Sequence, residues 1–314
     1  MISIGLDVGG TKILGVAIDP DDPGVLRSER RVATPDGGLG LVDTLCEVLG
    51  ALIAPDEAPA VLGVGVPGLI DREGRLRMGP HLGSLRDLPL AEMLTERSGI
   101  VTVVDNDANC HAVAEQTCGA AAGVDEALVV TFGTGIGAGV ITRGRLVRGA
   151  NGFAGEPGHT IVDRDGLPCP CGQRGCWEQY ASGTGLANLA RVAANEGRIE
   201  SVIEAAGGDP EAVRGEHITA AARAGDADAT RVMDELAGWM ALGLANLTNV
   251  LDPAVVVLGG GLVDAADLLL PRLREDFGRF VMGGDRRPTV TIVPAVLGER
   301  AGAIGAAVLA AESA

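Results

Sequence analysis

The sequence predicts an α/β protein with two domains, and three observations lead to this class. Apolar runs of strand length alternate with segments of helical periodicity along the chain. Hydrophobic residues make up 46% of the sequence but aromatic residues only 2%, so the cores must consist of Val, Leu, Ile and Ala, as in buried parallel strands flanked by helices. At 314 residues the chain exceeds the usual size of one domain.

The first domain is predicted over residues 1–115. Its strands are expected at Ile2–Val8, Ile13–Asp19, Val61–Val66 and Val101–Val104, and its helices at Gly40–Ile53, Leu90–Ser98 and Cys110–Cys118. We expect a helix at 300–314 to complete this small α/β domain.

Residues 116–299 are predicted to form a larger α/β domain. It opens with the strand LVVTF from Leu128, the turn GTGIGAG and the strand VITRGRLV, which repeats the order of IGL, DVGGTK and ILGVAID at the start of the chain. This repetition favours divergent duplication, with coincidence as the alternative. A helix is predicted over Ala229–Leu251, followed by strands at Ala254–Leu258 and Val290–Val293.

The net charge of −17 argues against nucleic-acid and anionic-membrane partners, which require a basic face. The N-terminus enters an apolar strand without a basic leader, and uncharged stretches such as Leu236–Leu251 are shorter than a membrane span. These features predict a cytoplasmic protein.

Glycine-rich turns are candidates for binding phosphate. Asp7-Val8-Gly9-Gly10-Thr11-Lys12 and Gly133-Thr134-Gly135-Ile136-Gly137 each follow a strand directly, and Gly259-Gly260-Gly261 follows a third. Consecutive N–H groups in such turns form a concavity for an anion, and Asp7 is a candidate for holding Mg²⁺ through water. A plain hairpin turn is the alternative for any one of them. Together they point to a nucleotide bound between the domains.

The spacing H-x₉-C-x-C-x₄-C is formed by His159, Cys169, Cys171 and Cys176. One imidazole and three thiolates satisfy a tetrahedral zinc ion and leave no open position, so the predicted site is structural. Three reduced cysteines in a loop are the alternative. We expect the metal to rigidify a loop without apolar anchors of its own and to position the flanking Glu156 and Glu178.

A polar constellation, Asp105-Asn106-Asp107-Ala108-Asn109, follows the strand Val101–Val104 at the end where α/β proteins place ligands. Asp107 or Asn109 is a candidate N-cap of the helix that follows. Two carboxylates and two carboxamides exceed what one cap needs. Asp107 is therefore also a candidate general base toward a hydroxyl, with Asn106 bonding neighbouring hydroxyls.

These motifs resemble the bacterial ROK sugar kinases, and most of all their glucokinases. The resemblance runs nearly the whole length and covers DVGGTK, DNDAN, GTGIGAG, GEPGHT, CPCGQRGCWEQYASG and VLGGG. It implies an actin-like (ribonuclease H-like) ATPase fold, with two lobes around a central cleft. Asp105 stands where the family often has an apolar or acidic residue, and it adds charge beside the implied base.

The resemblance also implies roles for individual residues. Asp107 would be the catalytic base, and Gly68, Asn106, Glu156, His159 and Glu178 would lie around the sugar. His159 would bind zinc through one ring nitrogen and a sugar hydroxyl through the other. The implied nucleotide residues are Asp7, Gly9, Gly10, Thr11, Lys12, Thr134, Gly135, Gly260 and Gly261, although the role of Lys12 is not fixed.

The implied activity is transfer of the γ-phosphoryl of ATP, with Mg²⁺, to glucose or a related hexose, most simply at the glucose 6-hydroxyl. Mannose, fructose and N-acetylhexosamines are alternative acceptors, and polyphosphate is an alternative donor. A sugar-sensing repressor of the same family is a further alternative, disfavoured by the acidic charge and the lack of a DNA-binding helix-turn-helix. Family members are usually homodimers or homotetramers.

Overall fold

A computed structural model describes residues 2–54, 59–79, 82 and 85–313. The strands are β1 (Ile2–Val8), β2 (Lys12–Asp19), β3 (Asp22–Ala33), β4 (Pro59–Val66), β5 (Leu69–Ile70), β6 (Leu76–Gly79), β7 (Leu85–Leu88), β8 (Thr102–Asn106), β9 (Ala127–Phe132), β10 (Ile136–Thr142), β11 (Arg145–Leu146), β12 (Val255–Gly259) and β13 (Thr291–Pro294). The α-helices are α1 (Gly38–Leu52), α2 (Leu90–Ser98), α3 (Asp107–Cys118), α4 (Glu178–Ala181), α5 (Gly183–Asn195), α6 (Glu200–Ala205), α7 (Gly215–Arg223), α8 (Ala227–Leu251), α9 (Ala266–Phe280) and α10 (Ala301–Glu312).

The first sheet has the strand order β3-β2-β1-β4-β8. β1, β2 and β3 pair antiparallel, whereas β4 and β8 run parallel to β1. The register places Asp7 opposite Gly65 and Gly65 opposite Asp105. The carboxyl ends of three parallel strands therefore bring the first glycine turn and the DNDAN segment to one edge of the sheet.

Both faces of this sheet are covered, which explains why its central strands are almost continuously apolar. One core cluster joins Ile4 and Leu6 to residues of α1 and α2, and the other joins Leu14 and Val16 to residues of α3 and α10. α10 packs directly on β1 and β4, because a Cβ added at Gly63 would lie 1.8 Å from the carbonyl oxygen of Ala306.

The second sheet has the order β11-β10-β9-β12-β13, with β10 and β11 antiparallel and β12 and β13 parallel. If the five strands of each sheet are numbered in chain order, both sheets have the spatial order 3-2-1-4-5. This is the result that the predicted duplication requires. A further, three-stranded sheet is formed by β5, β6 and β7.

The chain divides into two compact units. Unit 1 comprises residues 1–130, 138–155 and 295–314, and unit 2 comprises 131–137 and 156–294. From the sequence we predicted one domain boundary after residue 115, with residues 300–314 joining the first domain again. In the structure the chain passes between the units four times, and α10 belongs to unit 1.

Several elements differ from the sequence prediction. β10 begins at Ile136, inside the predicted turn, and α3 begins at Asp107 rather than at Cys110. β3 and the strands β5 to β7 were not predicted, because β3 carries polar residues and the other three are at most four residues long. Within the described ranges, no helix combines the length and the apolar character needed to cross a membrane.

Candidate active site

The first glycine turn joins β1 to β2 and is braced from the end of β3. The N–H of Gly9 donates to the carbonyl oxygen of Lys12 at 2.8 Å, which closes the turn. Thr34 holds it from the other side, since its hydroxyl donates to the Gly9 carbonyl at 2.6 Å and its N–H to the Thr11 carbonyl at 3.0 Å. Gly10 and Thr11 are exposed at the tip. A fixed turn with an open tip suits the approach of an anion.

Asp7 lies at the end of β1, below this turn, with its carboxylate against the first turn of α10. A Cβ added at Gly302 would lie 2.4 Å from the Asp7 carboxyl carbon. Burial raises the pKa of Asp7 from its ordinary 3.8 to about 6; the electrostatic influence of His111 opposes this rise, and the Asp107 carboxylate adds to it. The positive charge around Asp7 is therefore too small to balance its ionised carboxylate. A carboxylate in this situation is suited to bind a cation.

Lys12, the other end of the motif, is turned toward α10. Its ammonium pairs with Glu299, which also accepts from Arg31 at 2.8 Å. The hydrogen bond from Lys12 lowers the pKa of Glu299. The cation is therefore close to the turn and already has an exposed acidic partner.

The DNDAN segment makes the junction between β8 and α3. Asn106 is the N-cap: its side-chain oxygen accepts from the N–H groups of Ala108 at 2.9 Å and Asn109 at 3.2 Å. Our expectation that Asp107 or Asn109 caps the helix was wrong, because Asp107 is already the first helical residue. Its carboxylate thus lies at a helix N-terminus, where the helix dipole favours negative charge.

Asn106 is also tied to Gly68. Its side-chain nitrogen donates to the Gly68 carbonyl at 3.1 Å, which leaves one N–H of the amide for another acceptor. Gly68 has a φ of 119°, and an added Cβ would lie 2.1 Å from the Met78 carbonyl oxygen. Only glycine fits at this position.

The second glycine turn, in unit 2, is held by the start of α5. The N–H of Gly183 donates to the Gly133 carbonyl at 2.8 Å, and the Thr184 hydroxyl donates to the Thr134 carbonyl at 2.8 Å. A Cβ added at Gly135 would lie 2.7 Å from Oε2 of Glu178. The turn and the Glu178 carboxylate are therefore immediate neighbours, and a side chain at residue 135 would separate them.

The two glycines after β12 have different surroundings. Gly260 has a φ of 82°, and an added Cβ would lie 2.5 Å from the Phe132 carbonyl, so the packing of the backbone alone requires glycine. Around Gly261 nothing lies within 4 Å of an added Cβ. Gly261 thus faces open space that a ligand can enter.

The predicted metal ligands come together in unit 2. The ligand atoms of His159, Cys169, Cys171 and Cys176 all lie within 4.8 Å of one another. Nδ1 of His159 faces the cluster, 3.8 Å from the Cys169 sulfur, and burial raises the pKa of that thiol well above its usual range. Three thiols and one imidazole at these separations fit a four-coordinate zinc ion.

Glu178 adjoins this cluster. Its Oε1 lies 3.2 Å from the Cys169 sulfur and 3.7 Å from Nδ1 of His159. Glu156 precedes the 3₁₀ turn Pro157–His159, and its backbone carbonyl accepts from the His159 N–H at 3.2 Å. Three of the four polar residues expected around the sugar, Glu156, His159 and Glu178, therefore lie in or next to the metal-ligand loop.

The loop has apolar anchors, contrary to our expectation. Trp177 is fully buried, meets Phe132 edge to face at 5.6 Å and donates its indole N–H to the Trp239 carbonyl at 2.7 Å. The ring centroids of Tyr180 and Trp239 lie 4.5 Å apart, with the ring planes tilted by 35°. An added Cβ at Gly243 of α8 would overlap Trp177, so this glycine makes room for the anchor.

The predicted residues thus fall into two sets. Unit 1 contains the first turn, Asp7, Gly68, Asn106 and Asp107, and unit 2 contains the second turn, Glu178, the residues after β12 and the metal cluster. Sequence reasoning missed His111, whose Nδ1 lies 2.9 Å from the Asp107 carbonyl oxygen, one helical turn further on. Its spacing of four residues from Asp107 was the signal that could have found it.

The family model described as "ROK family" matches residues 3–313. A glucokinase from Streptomyces coelicolor is 38% identical over 99% of this chain and 98% of its own length. A crystal structure of a ROK family glucokinase from Streptomyces griseus, in complex with glucose and AMPPNP, has a TM-score of 0.88 at 38% identity and covers 99% of this chain and 100% of that one.

Relatives with other names match as well. An N-acetylmannosamine kinase from Citrobacter koseri is 34% identical over 99% of both chains. A xylose repressor from Bacillus subtilis is 29% identical over 96% of this chain and 75% of its own length. The predicted α/β class of the actin-like ATPase type is confirmed, and this chain belongs to the ROK family.

Proposed function

We propose that this chain is an ATP-dependent hexose kinase whose main acceptor is glucose, phosphorylated at its 6-hydroxyl. The observation that carries the proposal is the pair of carboxylates Asp7 and Asp107 at the same edge of the first sheet, beside a braced glycine turn. The charge of Asp107 contributes to the raised pKa of Asp7. Such an arrangement suits phosphoryl transfer, where positioning and electrostatics supply most of the catalysis. The glucokinase names of the relatives at 38% identity support the choice of glucose.

Asp107 acts as the general base in this proposal. From the first position of α3 its carboxylate orients the attacking hydroxyl and accepts its proton as the bond to phosphorus forms. The dipole of α3 favours negative charge at this position.

The nucleotide phosphates are held by the glycine turns. Gly9, Gly10 and Thr11 in unit 1 and Thr134 and Gly135 in unit 2 offer N–H and hydroxyl groups, and Gly260 and Gly261 adjoin the adenosine. Asp7 would hold Mg²⁺ through water, and its incompletely compensated charge fits this role. When bound, Mg²⁺ neutralises charge that develops on the phosphates.

The hexose is held by Asn106, Glu156, His159 and Glu178, with Gly68 alongside. Asn106 retains one side-chain N–H for a sugar hydroxyl after capping α3 and bonding Gly68. Nδ1 of His159 faces the thiols, so its other ring nitrogen is the one available to the sugar. Zinc, when bound to His159 and the three cysteines, is structural and fixes the orientation of this imidazole.

The remaining parts of the proposal come from the sequence and the family. We propose a cytoplasmic homodimer or homotetramer. N-acetylmannosamine is the alternative acceptor with a specific observation behind it, namely the 34% identical kinase of that name.

The test is ADP release by the purified protein with Mg²⁺-ATP and a panel of glucose, mannose, fructose, N-acetylglucosamine and N-acetylmannosamine. We expect turnover to favour glucose strongly. Asp107→Asn should lower kcat by at least about 100-fold, because general-base catalysis contributes that much, while calorimetry still detects glucose binding. A variant with wild-type kcat would refute the role of Asp107, and turnover with an N-acetylated sugar alone would refute the choice of glucose.

A further inference from the structure

Asp105, the last carboxylate before the Asn106–Asp107 turn, is nearly buried and forms an ion pair that the proposed mechanism does not use. Its side chain is 9% exposed, and its Oδ2 accepts from Nε of Arg148 at 2.6 Å. Arg148 lies 43 positions further along the chain. A buried carboxylate so near Asp7 and Asp107 needs a compensating cation, and Arg148 supplies it.

The other oxygen of Asp105 holds the turn that carries the proposed base. Oδ1 accepts from the N–H of Asn106 at 2.8 Å and from the side-chain nitrogen of Asn109 at 2.8 Å. Asn109 is fully buried, and its own side-chain oxygen has no hydrogen-bond partner within the described structure. Asp105 is therefore the main polar anchor of this amide, and it links Arg148 to the residues on both sides of Asp107.

Arg148 opens a tightly fixed loop, residues 148–155. Its carbonyl accepts from the Ala154 N–H at 3.2 Å, and the loop is joined to the β5–β6 turn by Arg72, whose Nε donates to the Ala150 carbonyl at 3.0 Å. A Cβ added at Gly152 would lie 2.5 Å from the Ile70 carbonyl. Because the loop backbone cannot shift easily, the Arg148 guanidinium is held in place, and its ion pair in turn holds the Asp105 carboxylate in place.

We infer that Arg148 is a positioning residue for phosphoryl transfer: through Asp105 it holds the Asn106–Asp107 turn in the geometry that the reaction needs. The inference rests on the proposed function. It assigns no contact with substrate to Arg148. It predicts a loss in kcat that exceeds any loss in hexose affinity, because a displaced base slows the chemical step after the sugar has bound.

The experiment compares Arg148→Met with Arg77→Met. Arg77 is a matched control in the same unit: its Nε donates to Oδ2 of Asp71 at 2.7 Å, and Asp71, 7% exposed, accepts two backbone N–H groups at its other oxygen. Both variants lose one Arg–Asp pair to a nearly buried carboxylate, and Arg77→Met also loses an exposed pair with Asp87. Only Arg148→Met is expected to lower kcat, by about 10- to 100-fold as for other residues that orient reacting groups, with glucose affinity by calorimetry within about threefold.

Two rescues separate positioning from a loss of folded protein. Adding about 20 mM guanidinium, far below the molar concentrations that unfold proteins, should restore part of the kcat of Arg148→Met by occupying the vacated position. Arg148→Lys should retain more activity than Arg148→Met, because it keeps the charge but not the planar geometry. Added guanidinium should leave the kcat of Arg77→Met unchanged.

The outcomes are distinct. A kcat of Arg148→Met within twofold of wild type, or an equal loss in Arg77→Met, would overturn the inference while leaving the kinase function standing. A wild-type protein without hexose-dependent ADP release would refute the proposed function itself, and the role of Arg148 with it. A selective loss in kcat with rescue by guanidinium supports the inference.

Discussion

Asp7 offers a test in which stability and activity should change in opposite directions. The raised pKa means that the folded chain holds the Asp7 proton more tightly than the unfolded chain, which has the ordinary value of 3.8. Stability therefore falls as pH rises from about 4 to about 6, and the full penalty is present above that range. The neutral isostere in Asp7→Asn avoids the penalty.

The magnitude follows from the shift. A rise from 3.8 to about 6 corresponds to about 3 kcal/mol at neutral pH, at 1.36 kcal/mol per pKa unit, and to about half of that near pH 5. Partial exposure of the carboxylate reduces this figure, so we expect Asp7→Asn to gain about 1–3 kcal/mol near pH 7.5. The same variant should lose kcat by about 100-fold or more, because its carboxamide would no longer support the proposed Mg²⁺ site.

The assay is urea unfolding of the wild type and Asp7→Asn near pH 7.5 and near pH 5, without added Mg²⁺ or ATP. The control is Asp71→Asn, which removes a carboxylate that is paired with Arg77 at 2.7 Å and should lower the free energy of unfolding. A loss of stability in Asp7→Asn near pH 7.5, or a gain that does not shrink near pH 5, would refute the reasoning.

Two further predictions concern packing and the metal. Gly305→Ala should destabilise the protein by about 3 kcal/mol or more, because the added Cβ would lie 1.7 Å from a backbone carbonyl oxygen. Gly50→Ala, in open space on α1, should instead stabilise it by about 0.4–1 kcal/mol. Equal free energies of unfolding for the two variants in urea would contradict the packing of α10. Cys171→Ser should bind less than one zinc per chain by elemental analysis, with changed Trp177 fluorescence and a raised glucose KM, whereas Cys46→Ser should keep its zinc. Full zinc occupancy in Cys171→Ser would contradict the ligand assignment.

The local pattern of the sequence was enough to predict the elements that contain the site. The apolar runs gave β1, β4, β9 and β12, because strands that are buried on both faces consist almost entirely of apolar residues. The cysteine spacing predicted a candidate metal site, and the structure brings its four ligand atoms within 4.8 Å of one another. In each case the residues that form the strand or the metal site lie within a short stretch of chain, so the pattern of neighbouring residues is enough to predict them.

The tertiary structure determined which partners the side chains that hold the site in place bind. Arg148 meets Asp105 from 43 positions away, and Lys12 meets Glu299 from 287 positions away. Asn106 became the helix cap because the backbone turns one residue earlier than the side-chain pattern indicated, and β3 formed at a sheet edge despite its polar residues. Ion pairs and caps depend on which segments the fold brings within about 3 Å of one another, and no periodicity along the chain records that distance. The sequence by itself therefore determined which groups are available, and the fold determined which of them are paired.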